Sequence, residues 1–187
     1  DGEEYSLARE AADLRALVEA VNGTPTVFGH SFGGLVALTA AAEITIDHLV
    51  LYEPPVLVGE HSDDNLAARM EARLEAGQRQ DAMRLFIEEN GSVSDVARLP
   101  WWPEEANLHL TETVIRESYE VEAFDLSDVP DLAVPTTLLT GEQSPDHLRA
   151  GITRLNNHLT KSRLIEMEDV GHVATESTPD KLASIIK

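Results

Sequence analysis

Gly29-His30-Ser31-Phe32-Gly33 is the strongest chemical signal in the chain. It fits the pattern G-x-S-x-G, with a further Gly34 behind it. The pattern carries chemistry where it joins a strand to a helix. There the serine occupies a sharp, strained turn, and glycines two residues to either side let strand and helix pack without side-chain clashes. The hydroxyl then projects clear of the sheet. The start of the following helix offers an oxyanion the N–H of Phe32 and the positive end of a dipole. The chemistry is nucleophilic attack on a carbonyl. It needs an adjacent base, because a serine hydroxyl is unreactive at neutral pH without one. Phosphate binding fits poorly. No lysine follows the glycines as G-x-x-x-x-G-K-[ST] requires, and G-x-G-x-x-G is not met.

The base expected from the sequence is His172, in Gly171-His172-Val173-Ala174, late in the chain and in a loop after the last strand. His48, His61, His109, His147 and His158 read as surface or packing residues. His30 lies inside the serine turn and is grouped with the substrate-binding residues, alongside Trp101 and Trp102.

Alternating strand and helix patterns must position these groups. A helix is expected over 7–21, with Leu7, Ala11, Leu14, Leu17, Val18 and Val21 on one face and Asn22-Gly23 ending it. A buried strand over 24–28 leads into the serine turn at 29–34. An Ala-rich helix over 35–42 and a second strand over 46–52 follow, stopped by Pro54-Pro55. From 54 to 131 no strand is expected. Helices over 66–76, 80–89 (stopped at Asn90-Gly91) and 105–120 make this stretch a helical insertion. Strand 135–140, ended by Gly141, then helix 147–159 and strand 163–167 return to the first pattern. Thr178 caps a last helix, with Pro179 in its first turn. Right-handed crossovers make the four strands parallel, an α/β architecture. The expected division is a core of 1–53 and 132–187 with a lid of 54–131 over the nucleophile. Met83, Phe86, Leu99, Trp101 and Trp102 are its expected pocket residues. An apolar lid favours acyl groups or hydrophobic small molecules. His61-Ser62-Asp63-Asp64 reads as an acidic loop, and no metal is expected.

This order of elements, with Gly-His-Ser-Phe-Gly-Gly early and Gly171-His172 late, resembles the α/β-hydrolase family over essentially all 187 residues. The resemblance implies a parallel-sheet hydrolase fold and a Ser-His-acid triad built on Ser31 and His172. It implies no cofactor. In the family the acid usually follows, by three residues, the glycine that ends the strand after the insertion. Here Gly141-Glu142-Gln143 leads to Ser144, and a serine cannot stabilise an imidazolium as a carboxylate does. Glu142 or Asp146 could reach from that loop. Glu53, at the end of the second strand, is favoured, because haloalkane dehalogenases, one branch of the family, carry the acid there. Those enzymes need a carboxylate nucleophile, so Ser31 points instead to an ester, thioester or amide bond, or to acyl transfer. The alternatives are a truncated non-catalytic binding module and a cofactor-free peroxidase-like enzyme. The family also carries strands ahead of the first helix, with a second oxyanion donor often marked His-Gly. Nothing here matches it, and Asp1-Gly2 looks like the end of the preceding loop. The expectation is therefore that the nucleophile strand is an open sheet edge. A missing N-terminal segment or a partner chain would complete it.

Composition bounds the setting. The chain has 187 residues, the size of one domain or part of a larger one. A hydrophobic fraction of 42% supports a buried core. There is no cysteine, so disulfides, thiolate metal sites and cysteine nucleophiles are excluded. No apolar run reaches the ~18 residues of a membrane helix, and no Lys/Arg-led apolar segment marks a signal peptide. A cytoplasmic location is expected. Lys+Arg is 14 against Asp+Glu 34, a net charge of −20 that argues against nucleic acid and anionic membranes as partners. Lysine occurs only at Lys161, Lys181 and Lys187, a pattern like that of proteins from a high-salt cytoplasm. Thermal unfolding tests this. The midpoint is expected to rise between about 0.1 M and about 1 M KCl, as the screening length falls from ~10 Å to ~3 Å. A midpoint that falls would count against self-repulsion as a dominant cost.

Overall fold

Two periodicities, 3.6 and 2, account for the elements. The computed structural model describes residues 5–59, 65–90, 96–99, 101–104 and 106–186. Asp1-Gly2, His61-Ser62-Asp63-Asp64, Gly91, Glu105 and Lys187 lie outside the described residues. In chain order the elements are α1 (Leu7–Ala20), β1 (Thr26–His30), α2 (Phe32–Ala40), β2 (His48–Tyr52), α3 (Leu66–Glu75), α4 (Arg79–Asn90), α5 (Thr111–Ala123), β3 (Thr136–Gly141), α6 (Asp146–His158), β4 (Ser162–Met167), α7 (Ala174–Ser177) and α8 (Pro179–Ile186).

The four strands form one parallel sheet in the order β1-β2-β3-β4. β1 is therefore one edge. The core lies on both faces. Leu49 and Leu51 of β2 and Leu138 of β3 pack with Leu35 and Leu38 of α2 and Ile152 and Leu155 of α6. The alternate residues Val50, Tyr52 and Leu139 pack on the other face with Met167, Val170, Ala174 and Leu182. A strand covered on both faces reads as an unbroken apolar run, which is why β2 is His-Leu-Val-Leu-Tyr.

The boundaries differ from the sequence expectation for physical reasons. β1 begins two residues later than expected, because Pro25 has no N–H for the ladder. It continues through Gly29 and His30, whose partners are Leu51 and Tyr52. The turn is then Ser31 alone, and α2 opens at Phe32. On α1 the buried stripe is Leu7 and Ala11, with Leu14 and Val18 packed beside them. Leu17 sits about a quarter-turn off that stripe and is 67% exposed. Val21 lies beyond the helix in extended backbone and is also exposed. The third helix of the insertion starts at Thr111, not 105. A 3₁₀ turn at Leu108–Leu110 precedes it, and Thr111 Oγ1 donates to the Leu108 carbonyl.

Between the neighbouring strands β2 and β3, helices α3, α4 and α5 pack on one another around Leu66, Met70, Ala82 and Ile115. Arg69–Glu89 and Arg79–Glu112 ion pairs tie α4 to α3 and to α5. Phe86 was expected in a pocket. Phe86 packs against the insertion's own core, one turn from Ala82 on the same face of α4. Among the described residues, no helix is long and apolar enough to cross a membrane.

Candidate active site

The C-terminal ends of β1, β2 and β3 and the loop after β4 converge on one place. Open parallel sheets build their sites there. Ser31 joins β1 to α2 at φ +52°, ψ −127°. A non-glycine residue held in such a conformation costs ~1–3 kcal/mol and needs fixing by its surroundings. Two hydrogen bonds do so: Ser31 N–H donates to Tyr52 O at 2.9 Å, and Gly34 N–H donates to Ser31 O at 2.8 Å. Phe32 opens α2, so its N–H lies in the first turn, where intrahelical acceptors are lacking.

The glycines around Ser31 do not share the role expected of them. A Cβ on Gly29 would stand 2.6 Å from Gly33 O and 2.8 Å from Gly34 Cα, inside contact distance of backbone. A Cβ on Gly34 would meet Pro54 Cβ at 3.1 Å. A Cβ on Gly33 would meet nothing within 4 Å. Close packing therefore requires Gly29 and crowds Gly34, while Gly33 is helical and exposed. Gly33→Ala is expected to hold or raise stability, by up to ~1 kcal/mol from helix propensity and chain entropy. Gly29→Ala is expected to destabilise strongly. Denaturant midpoints of the two variants check the contrast, and equal losses would sink it.

Glu53 follows β2 directly. It is fully buried, its φ is +43°, and its N–H donates to Leu139 O at 3.1 Å. Its Oε1 accepts from Thr140 Oγ1 at 2.6 Å and from Gly141 N–H at 2.8 Å. His172 Nδ1 lies 2.7 Å from its Oε2, and His172 Nε2 lies 3.2 Å from Ser31 Oγ. A carboxylate only accepts, so Nδ1 carries the proton and Nε2 presents its lone pair to the serine hydroxyl. Burial alone would push the Glu53 carboxyl up. The bonds from His172, Thr140 and Gly141 outweigh it and hold the group below its ordinary value, with Ser144 helping from nearby. Ser144 Oγ itself is buried in no well-formed hydrogen bond.

The histidine loop is pinned from β3. Glu142 N–H donates to Met167 O and Gln143 N–H to Val170 O. Gly141 is needed for this approach, because a Cβ there would fall 2.2 Å from Val170 O. Glu142 Oε2 accepts from Asp169 N–H, at a residue with φ +56°. Glu142 is thus engaged away from His172, and Asp146 is exposed in the first turn of α6. Of the three acids the sequence left open, the structure brings Glu53 to the imidazole.

Two further side chains reach the histidine loop. Tyr52 O–H donates to Gly171 O at 2.6 Å. His30 Nε2 donates to His172 O at 2.8 Å, and the two imidazoles lie 4.8 Å apart. His30 therefore faces the histidine loop. Burial, then the neighbouring His172, hold its pKa below the ordinary value. Trp101 and Trp102 stack edge to face at 6.5 Å in the insertion, and Trp101 is 36% exposed. Leu99 is half-buried and Met83 is buried. The sequence does not single out Tyr52 or Thr140. Each reads there as an ordinary strand residue, and only the position of Tyr52 beside Glu53 hinted at more.

The arrangement can remove a proton from Ser31 through His172 and hold the resulting imidazolium against a buried carboxylate. A sequence model of the alpha/beta hydrolase family matches residues 1–185. This chain belongs to the alpha/beta hydrolase family. Solved hydrolase structures agree. An alpha/beta hydrolase from Sphaerobacter thermophilus DSM 20745 superposes with a TM-score of 0.77 at 27% identity, over 100% of this chain and 75% of that one. The esterase EaEST from Exiguobacterium antarcticum gives 0.76 at 22% identity, over 97% and 74%. The hydrolase MGS-M2, from a Medee basin deep-sea metagenome library, gives 0.79 at 18% identity, over 100% and 72%. No protein of curated function matches the sequence. Within the family fold, the parallel sheet sets Ser31 after β1, Glu53 after β2 and His172 in the loop after β4.

Proposed function

We propose that this hydrolase-family chain cleaves an ester or related acyl bond of a small, hydrophobic molecule through Ser31, His172 and Glu53. The single observation that carries the reading is the hydrogen-bonded row from Ser31 Oγ through His172 to buried Glu53. Ser31 Oγ attacks the carbonyl carbon while His172 Nε2 takes its proton. The carbonyl oxygen becomes an oxyanion held by the Phe32 N–H at the positive end of α2. The imidazolium gives the proton to the leaving oxygen, and the acyl group stays on Ser31. Water, deprotonated by His172, then attacks the acyl-serine and releases the acid. Glu53 holds the Nδ1–H tautomer and balances the imidazolium charge. The helical insertion acts as the lid, with Trp101 and Trp102 toward the substrate. A strand paired to the open edge of β1, from an N-terminal segment or a partner chain, would complete the sheet beside Ser31.

Fluorophosphonate labelling in molar salt tests the reading. Labelling is expected, and it should vanish in Ser31→Ala. A folded chain that neither labels nor hydrolyses p-nitrophenyl esters, alone or with its sheet completed, would refute it. Halide-dependent bromination without labelling would favour peroxidase chemistry.

A further inference from the structure

We propose that His30 and Tyr52 act together as a two-point clamp that positions His172, each donating one hydrogen bond to one of two successive carbonyls in the loop that carries the imidazole. The proposal rests on the hydrolase reading above and deepens it.

The clamp follows from strand register. His30 and Tyr52 are the last residues of β1 and β2 and are paired partners in the parallel ladder. Paired residues project to the same face. Their rings lie edge to face at 5.6 Å, so each braces the other. From this base, Tyr52 O–H reaches Gly171 O at 2.6 Å and His30 Nε2 reaches His172 O at 2.8 Å. A carbonyl only accepts, so His30 carries its proton on Nε2. Gly171 O belongs to the peptide before His172 and His172 O to the peptide after it, so the two bonds fix the backbone on both sides of the His172 Cα, and with it the direction in which the imidazole leaves the backbone. His172 lies in a turn outside the sheet ladder, where backbone carbonyls need side chains or water as partners.

Placement matters because His172 must satisfy two partners at once, Glu53 at 2.7 Å and Ser31 at 3.2 Å. A misplacement of about 1 Å at such a site costs on the order of 10²-fold in rate. Charge matters as well. With its ring 4.8 Å from that of His172, a cation at position 30 would oppose the imidazolium that forms during turnover. Neutral His30 supplies a donor without that repulsion. Lysine or arginine would donate but repel, and a carboxylate could not donate. His30 and Tyr52 touch no reacting atom in this scheme and are positioning residues.

The test uses Tyr52→Phe and His30→Phe, which delete each donor and keep a ring, and His30→Gln, which restores a neutral donor. Two readouts are taken well below the unfolding temperature: kcat and KM on p-nitrophenyl acetate, and the downfield proton resonance of His172 Nδ1–H bonded to Glu53. Each Phe variant is expected to lower kcat about 10- to 100-fold with KM little changed. The resonance should broaden through solvent exchange. His30→Gln should restore both. A side chain that merely supports the fold would lower the melting temperature and leave both readouts in place. A resonance identical to wild type in both Phe variants overturns the clamp, whatever the turnover. So does an active wild type whose Phe variants keep kcat within about two-fold. A wild type that neither labels nor turns over, but whose resonance responds as described, refutes the hydrolase reading and leaves the clamp standing.

Discussion

Ser31→Ala is expected to lower ester turnover by on the order of 10⁶, and His172→Ala by a similar factor. The double variant should be no worse than either single one. The non-additivity follows from the geometry. Ser31 Oγ has His172 Nε2 within reach, at 3.2 Å. Without the base the hydroxyl keeps its proton, and without the hydroxyl the base has nothing to activate. What survives is binding plus the oxyanion interaction at Phe32, worth about 10³–10⁴ over water in serine hydrolases. Single-turnover kinetics on the three variants measure the effect. Multiplicative losses would show that the two residues act separately and would end the proposed mechanism.

Glu53→Gln is expected to cost on the order of 10⁴ in kcat. Asp146→Asn and Glu142→Gln should cost little. An amide keeps the size of the Glu53 side chain but cannot fix the tautomer or balance an imidazolium. Asp146 is exposed, and Glu142 is occupied with the N–H of Asp169. The reverse ranking would reassign the acid. Stability gives a second readout. The Glu53 pKa is lower in the folded chain than its ordinary value of 4.5. The charged form thus favours the folded state. Its contribution is full above 4.5 and is lost as pH falls through the lower folded-state value. The stability gap between wild type and Glu53→Gln should therefore narrow as pH falls below 4.5. Urea midpoints below pH 4.5 measure it, and a gap that widens over that range would contradict the hydrogen-bonding seen around the carboxylate.

Features encoded within a few residues are legible in the chain alone. The apolar run of β2 and the helical spacing of apolar positions in α4 and α6 mark these elements to within a residue or two. Gly29-His30-Ser31-Phe32-Gly33 marks the strand-to-helix turn, and Gly171-His172 marks a loop histidine after the last strand. The tertiary structure decided whatever depends on contacts far apart in the chain. Ser31 and His172 meet across 141 residues, and His172 and Glu53 across 119. No local pattern states which of Glu53, Glu142 and Asp146 will lie at the end of that span. The choice is made by the left-handed turn after β2 and by the donors Thr140 and Gly141 on the adjacent strand. The same holds for Gly33, which matches the motif yet has open space where a Cβ would stand, and for Phe86, whose apolar character suits a pocket and an internal core equally well. Tyr52 is the clearest case. In sequence it closes an apolar strand. In the fold, the register with β1 sets it beside His30 and aims its hydroxyl at the histidine loop. Residue type and spacing specify which groups are available and which elements carry them. Strand register and loop approach, which arise only when the sheet assembles, specify which of those groups touch.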